Sequence, residues 1–194
     1  PSSGPGANLA LNKPVNASSS IYTFVPANAN DGDVTTYWEG AGGSYPNTLS
    51  INLGSNANIS SVVLNLNPAA AWATRTQTIQ VLGHDQSTSV FSNLVAATVY
   101  TFNPATGNTV TIPFSATASE IQLKFTTNSG SSAGQIAEFQ LIGTPAANPD
   151  LVVTAMSWTP SSPVETDVIT LTSNVKNNGT AASAATSVNF YLGN

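Results

Sequence analysis

The chain has no cysteine, one histidine, one methionine and a single arginine, Arg75. Without cysteine, neither a disulfide framework nor a thiolate metal site can form. Charge is equally sparse: 7% of residues are charged, and four Lys and Arg face nine Asp and Glu, for a net charge of -5. Phosphate and anionic-membrane partners draw their affinity from clustered basic side chains, so no nucleic acid and no membrane surface is expected as a partner. No apolar run approaches the ~20 residues needed to cross a bilayer. Low charge beside 41% apolar residues at regular spacing also excludes disorder driven by charge repulsion.

What is present is a strand pattern. Apolar residues alternate at Leu49/Ile51/Leu53, Ile79/Val81, Val110/Ile112/Phe114, Ile121/Leu123/Phe125 and Phe139/Leu141, with Ser, Thr, Asn and Gln on the other face. Val62-Val63-Leu64 reads as a more fully buried strand, and Gly, Pro and Asn clusters punctuate between the runs. No window keeps a helical period. The expected fold is all-β, an antiparallel β-sandwich with long loops gathered at its ends. Residues 1–6 are Pro, Ser and Gly only, a linker composition, and a start without methionine is expected of a piece of a longer protein or a processed form. A second linker is read at 145–150, where two prolines flank small residues. Beyond it the strand pattern restarts at Leu151-Val152-Val153, Val168-Ile169-Thr170-Leu171 and 188–192.

Three segments carry a family resemblance: NLALNKP at 8–14, DGDVTTYW at 31–38 and AEFQLIG at 137–143. In this order they resemble the discoidin family, the coagulation factor 5/8 type C domains, which in microbial glycosidases are the family 32 carbohydrate-binding modules. The resemblance spans 7–144 and implies a discoidin-like jelly roll that binds and does not catalyse. The stretch 151–194 resembles the opening of immunoglobulin-like bacterial adhesion modules, and its 45 or so residues are expected to form an incomplete spacer, since such a sandwich takes about 100 residues.

The loop from Asn28 to Thr36 packs carboxylates and carbonyls around a glycine turn, a chemistry suited to calcium, which takes six to eight oxygens. It lacks the glutamate of an EF-hand loop, and an Asx-rich turn without metal is the other reading. The resemblance implies a structural calcium held by the carbonyl of Asn28, by Asp31 and Asp33, by the hydroxyl and carbonyl of Thr36, by the carbonyl of Ala137 and by the side chain of Glu138. A glycosidase reading of these acids, two carboxylates flanking a sugar bond, fails if they ligate calcium, because none is then free as an acid. Gly130-Ser131-Ser132-Ala133-Gly134 matches the G-x-S-x-G nucleophile elbow, but that elbow needs a helix behind it and 135–142 reads as strand. The segment is expected to be a loop.

Sugar binding relies on flat apolar faces with a few polar groups that fix hydroxyls. Trp72, set among alanines between two strands, and Arg75, whose donor fork can reach two hydroxyls or pair with Glu39, are expected at the centre of the site. Glu39, Tyr22 and Tyr45 are expected around them, with Phe24 and Tyr37 as further loop aromatics. Trp38 is expected to plug the sandwich, and Trp158 to sit in the core of the second module. The resulting expectation is a monomeric, non-catalytic module of a secreted polysaccharide-degrading enzyme, parent protein a glycoside hydrolase. Its partner would be a polysaccharide or oligosaccharide, a neutral glucan with 1,3 linkages being favoured. A cell-surface adhesion module for protein or lipid is the alternative, and it would want basic residues on the loops, which are nearly missing.

Overall fold

The computed structural model describes residues 6–191, so most of the 1–6 linker and the end of the 188–192 run lie outside the described residues. The chain forms two compact units that part between Ala146 and Ala147. Among the described residues no helix is long and apolar enough to cross a membrane.

The first unit contains β1 (Ala7–Asn8), β2 (Val15–Ala17), β3 (Trp38–Glu39), β4 (Asn47–Asn65), β5 (Arg75–His84), β6 (Ser92–Phe102), β7 (Thr109–Asn128), β8 (Gln135–Ile136) and β9 (Glu138–Pro145). Every pairing among them is antiparallel. The runs at 49–53 and 62–64, separate in the sequence pattern, are two halves of β4. The strand bends where Gly54 takes a φ of 81° and the register with β7 slips between Asn52 and Ala57. Only glycine adopts that backbone without strain. β7 joins the runs at 110–114 and 121–125 in the same way.

These two long strands build both layers of the sandwich. The first half of β4 pairs with the second half of β7 (Leu49↔Leu123), flanked by β2 on one side and by β5 and β6 on the other. The second half of β4 pairs with the first half of β7 (Val62↔Ile112) and, across its other edge, with β9 (Val62↔Leu141), which carries β1. The alternating residues of the two layers meet in one core that includes Leu49, Ile51, Leu64, Ile79, Phe125 and Phe139. Each such side chain, fully removed from water, contributes about 1.5–3 kcal/mol. Trp38 is fully buried among them, tilted against Phe125 at 5.6 Å, and its indole nitrogen donates to the Ser19 carbonyl at 2.9 Å. The discoidin-like jelly roll expected from the sequence is the architecture found.

The second unit is a hairpin of β10 (Leu151–Thr159) and β11 (Thr170–Asn177). Residues 188–191 form no strand. Trp158, expected in a core, is 52% exposed. The physical reason is that no second layer covers the hairpin among the described residues, so Trp158, Leu171 and Phe190 line an open cavity of 520 Å³ instead.

Candidate functional site

The stretch around Asn28 is shaped by a short 3-10 helix, Pro26–Ala29, and by side chains that bond back to the backbone. The Asn30 amide donates to the carbonyls of Ala10 (2.6 Å) and Lys13 (3.0 Å), which ties the NLALNKP segment to this loop. The Asn28 amide donates to the carbonyls of Thr23 and Tyr37. The backbone N–H of Gly32 donates to Glu138 Oε1 at 2.8 Å, bringing the start of β9 against the loop. Asp31 Oδ2 accepts from the Thr36 hydroxyl at 2.7 Å, and Asp31 is also the hydrogen-bonding neighbour of Glu138. Burial, reinforced by the Asp31 carboxylate, pushes the Glu138 carboxyl up to about 7. Asp33 is turned to Thr35, whose N–H and hydroxyl both donate to its Oδ1 and hold its carboxyl below the usual range. Two carboxylates therefore converge here, and among the described residues no third acid, histidine or cysteine completes a cluster with them. The donor set is all oxygen, and a buried carboxylate with a carboxylate neighbour is a place where a hard cation would substitute for a proton.

Beside this loop runs a row of aromatic rings. Tyr22 and Phe24 meet edge to face at 6.4 Å, Phe24 stacks on Tyr37 at 4.2 Å, and Tyr37 and Trp72 stand perpendicular at 4.7 Å. Tyr22 is 88% exposed and is held at a φ of 48°. Trp72 closes the 3-10 turn Ala70–Trp72 between β4 and β5. Arg75 lies over the indole at 4.8 Å, and its Nε, at 3.0 Å, and Nη2 both donate to the Trp72 carbonyl. Its Nη1 donates to Gln135 Oε1 at 2.7 Å. Tyr37, Ala71, Trp72, Arg75 and Gln135 line an open depression of 290 Å³. The guanidinium thus covers one face of the indole.

Glu39 stands next to this depression. Ser131 Oγ donates to its Oε1 at 2.6 Å. Burial, then the Glu39 carboxylate, raises the phenols of both Tyr37 and Tyr45, which places all three groups in one neighbourhood. The Tyr45 hydroxyl is buried and has no hydrogen-bond partner among the described residues. Burial lowers the Arg75 guanidinium and Glu39 counters the shift, yet the two do not form an ion pair.

The structure thus brings Trp72, Arg75, Glu39 and Tyr45 together, with Tyr22 at the far end of the aromatic row. Arg75 differs from its expected part: three of its five N–H groups are committed to Trp72 and Gln135, so it builds the site more than it faces outward. Sequence reasoning passed over Gln135 and Ser131. Gln135 enters because β3 pairs with β8 as Glu39↔Gln135, a register that no local motif encodes. The 130–134 stretch is a loop, as expected. His84 lies at the opposite end of the ten-residue β5 from Arg75, roughly 30 Å away at the rise of a strand, paired with Glu120 at 3.4 Å. No Ser–His couple exists there.

Fold and loops together define an open, aromatic-lined face on a discoidin-like sandwich. The NedA-like, galactose-binding domain model of the F5/F8 type C family matches residues 28–123, and the CARDB model matches residues 148–194. Chitosan-binding module 1 from a chitosanase/glucanase of Paenibacillus sp. IK-5 is 31% identical, over 71% of this chain and 99% of that one, with a TM-score of 0.54. The family 32 module of Clostridium perfringens NanJ, solved with galactose, is 21% identical, over 71% of this chain and 98% of that one, with a TM-score of 0.60. A second C. perfringens family 32 module, solved with GlcNAc-α-1,4-galactose, is 21% identical over 73% and 97%, with a TM-score of 0.54. No curated protein matches the chain. The first unit belongs to the discoidin, or F5/F8 type C, family that includes the family 32 carbohydrate-binding modules.

Proposed function

We propose that the first unit is a non-catalytic carbohydrate-binding module whose ligand stacks on Trp72 and is fixed by Glu39 and Tyr45, with Tyr22 as an outlying platform. The observation that carries this reading is the open depression lined by Tyr37, Trp72 and Arg75, with the Glu39 carboxylate beside it. The Glu39 carboxylate, with Oε1 taken by Ser131, can accept from a ligand hydroxyl through its other oxygen, and a hydrogen bond to a charged group contributes about 1.5–3 kcal/mol. The ligand we favour is a neutral glucan, 1,3-linked among its forms, presented by a cell wall to a monomeric, secreted polysaccharide-degrading enzyme of which this unit is an accessory part. A single arginine, largely committed to protein partners, speaks against a polyuronate. A second reading, chitosan, is supported by the relative from Paenibacillus and by Glu39, whose carboxylate suits a glucosammonium group.

A structural calcium accompanies this proposal. Asp31, Thr36 and Glu138 would supply side-chain oxygens, joined by the carbonyls of Asn28 and Ala137, and Asp33 would have to turn from Thr35 to complete the set. The ion would hold the start of β9 to the 28–36 loop and so fix Tyr37 and Glu39, which follow that loop.

The test is binding of the full chain to insoluble 1,3-glucan, cellulose, chitosan and pectin, with liposomes as the arm for the adhesion alternative. Retention on the glucan or on chitosan decides between the two sugars. Retention on liposomes alone would overturn the carbohydrate reading.

A further inference from the structure

The side chains of the binding face are held by a segment that contributes no ring to it, the stretch 130–135 between β7 and β8. Gly130 lies flat against Arg75: a Cβ there would stand 2.7 Å from both Cζ and Nε, so any larger residue must displace the guanidinium. Gln135, which takes Nη1 of Arg75, is itself fixed. Its backbone N–H donates to the fully buried Gln77 at 3.0 Å and its carbonyl accepts from the same amide at 2.8 Å. One residue beyond Gly130, Ser131 donates to Glu39. The same short segment therefore gives a neutral partner to each of two opposite charges that stand close without pairing.

That separation has a chemical use. A Glu39–Arg75 ion pair would occupy the carboxylate lone pairs and guanidinium N–H groups that face the depression, and would draw Arg75 off the Trp72 carbonyl and indole. The binding surface would close on itself. A neutral hydroxyl on Glu39 prevents this while leaving the second carboxylate oxygen for a ligand.

We propose that Gly130 and Ser131 are positioning residues: Gly130 leaves the space that keeps Arg75 on Trp72, and Ser131 keeps Glu39 from collapsing onto Arg75. This rests on the reading of the Trp72 face as the carbohydrate site. The G-x-S-x-G match in the sequence thus marks a wall that holds the site open, with no nucleophile in it.

The test uses the full chain and has a readout that needs no ligand. The indole N–H resonance of Trp72, assigned by loss in Trp72→Phe, should move in both Gly130→Ala and Ser131→Ala, while Ser131→Thr, which keeps the hydroxyl, leaves it in place. In a Glu39→Gln background, where no charge remains to collapse, Ser131→Ala should no longer move it. With the polysaccharide that the parent retains, Gly130→Ala and Ser131→Ala should each bind about tenfold more weakly, at unchanged melting temperature, and Ser131→Thr should bind like the parent. An unmoved Trp72 resonance in both alanine variants overturns the proposal whether or not a ligand is found, as does a Ser131→Ala shift that persists in full beside Glu39→Gln. Failure of the parent to bind any polysaccharide, with the resonances moving as described, would instead overturn the carbohydrate reading and leave the positioning role standing.

Discussion

Trp38 and Trp72 flank the same loops and do opposite work. Trp38 points inward, loses all contact with water and has its one polar atom satisfied by a backbone carbonyl. Trp72 is only partly buried, packed at the rim of the core with a cation over its ring and a phenol perpendicular to it. The difference lies in their backbone settings. Trp38 is in a strand register, opposite Ile136, that aims it at the core, while Trp72 ends a 3-10 turn followed by Ala73 at a φ of 50°. The two compact units repeat the contrast on a larger scale: one closes two layers over a shared core, the other is a hairpin with an apolar face uncovered. Closure provides stability, and the open depression beside Trp72 is where polar side chains and rings gather.

The largest expected effect is on stability. Trp38→Ala should lower it by about 3–5 kcal/mol, as large-to-small core changes do, and a thermal melt should show a drop of many degrees. A melting temperature near that of the parent would mean that this indole is not structural.

Calcium comes next. At a hundred times its dissociation constant the ion should add about 2.7 kcal/mol, read as a higher melting temperature that a chelator reverses. An unchanged midpoint with no metal by elemental analysis would remove the ion from the account. The metal-free domain should also respond to pH. The Glu138 carboxyl lies at about 7 in the folded protein against an ordinary 4.5, so between these values the folded state holds a proton that the unfolded state has lost. Stability in chelator should therefore fall as pH rises from about 4.5 to 7. With calcium the trend should vanish, since the metal takes the deprotonated carboxylate. A flat profile in chelator would contradict the convergence of Asp31 and Glu138.

The smallest expected effect is that of removing the second unit. Residues 6–146 hold their own core, and the cavity of the second unit is lined mainly by apolar side chains. Deleting 147–194 should leave affinity for the retained polysaccharide within error, and a loss beyond about threefold would mean that the second unit takes part.

Much of this was legible in the sequence because it is local. Alternation at Leu49/Ile51/Leu53 and Ile121/Leu123/Phe125 gives strands and their inward faces directly, and a tryptophan among alanines between strands marks a surface ring. The bend that joins two runs into β4 was not legible, because a glycine at positive φ inside a strand looks like a turn until its partner strand is seen to continue. The contacts of Gln135 and Ser131 were not legible for a related reason: both side chains are neutral and without a ring, and only the pairing of β3 with β8 and the return of β7 bring them to Arg75 and Glu39. Trp158 shows the reverse error, since its strand-like setting promises burial that depends on a layer absent among the described residues.

The central claim is that Trp72 serves binding while Trp38 serves folding. Titrating the polysaccharide retained by the parent into parent and Trp72→Ala protein, with each melting curve recorded beside it, tests this most directly. The account predicts at least a tenfold loss of affinity for Trp72→Ala, about 1.4 kcal/mol or more, with a melting temperature within a few degrees of the parent. Affinity equal to the parent in a folded Trp72→Ala protein would contradict it.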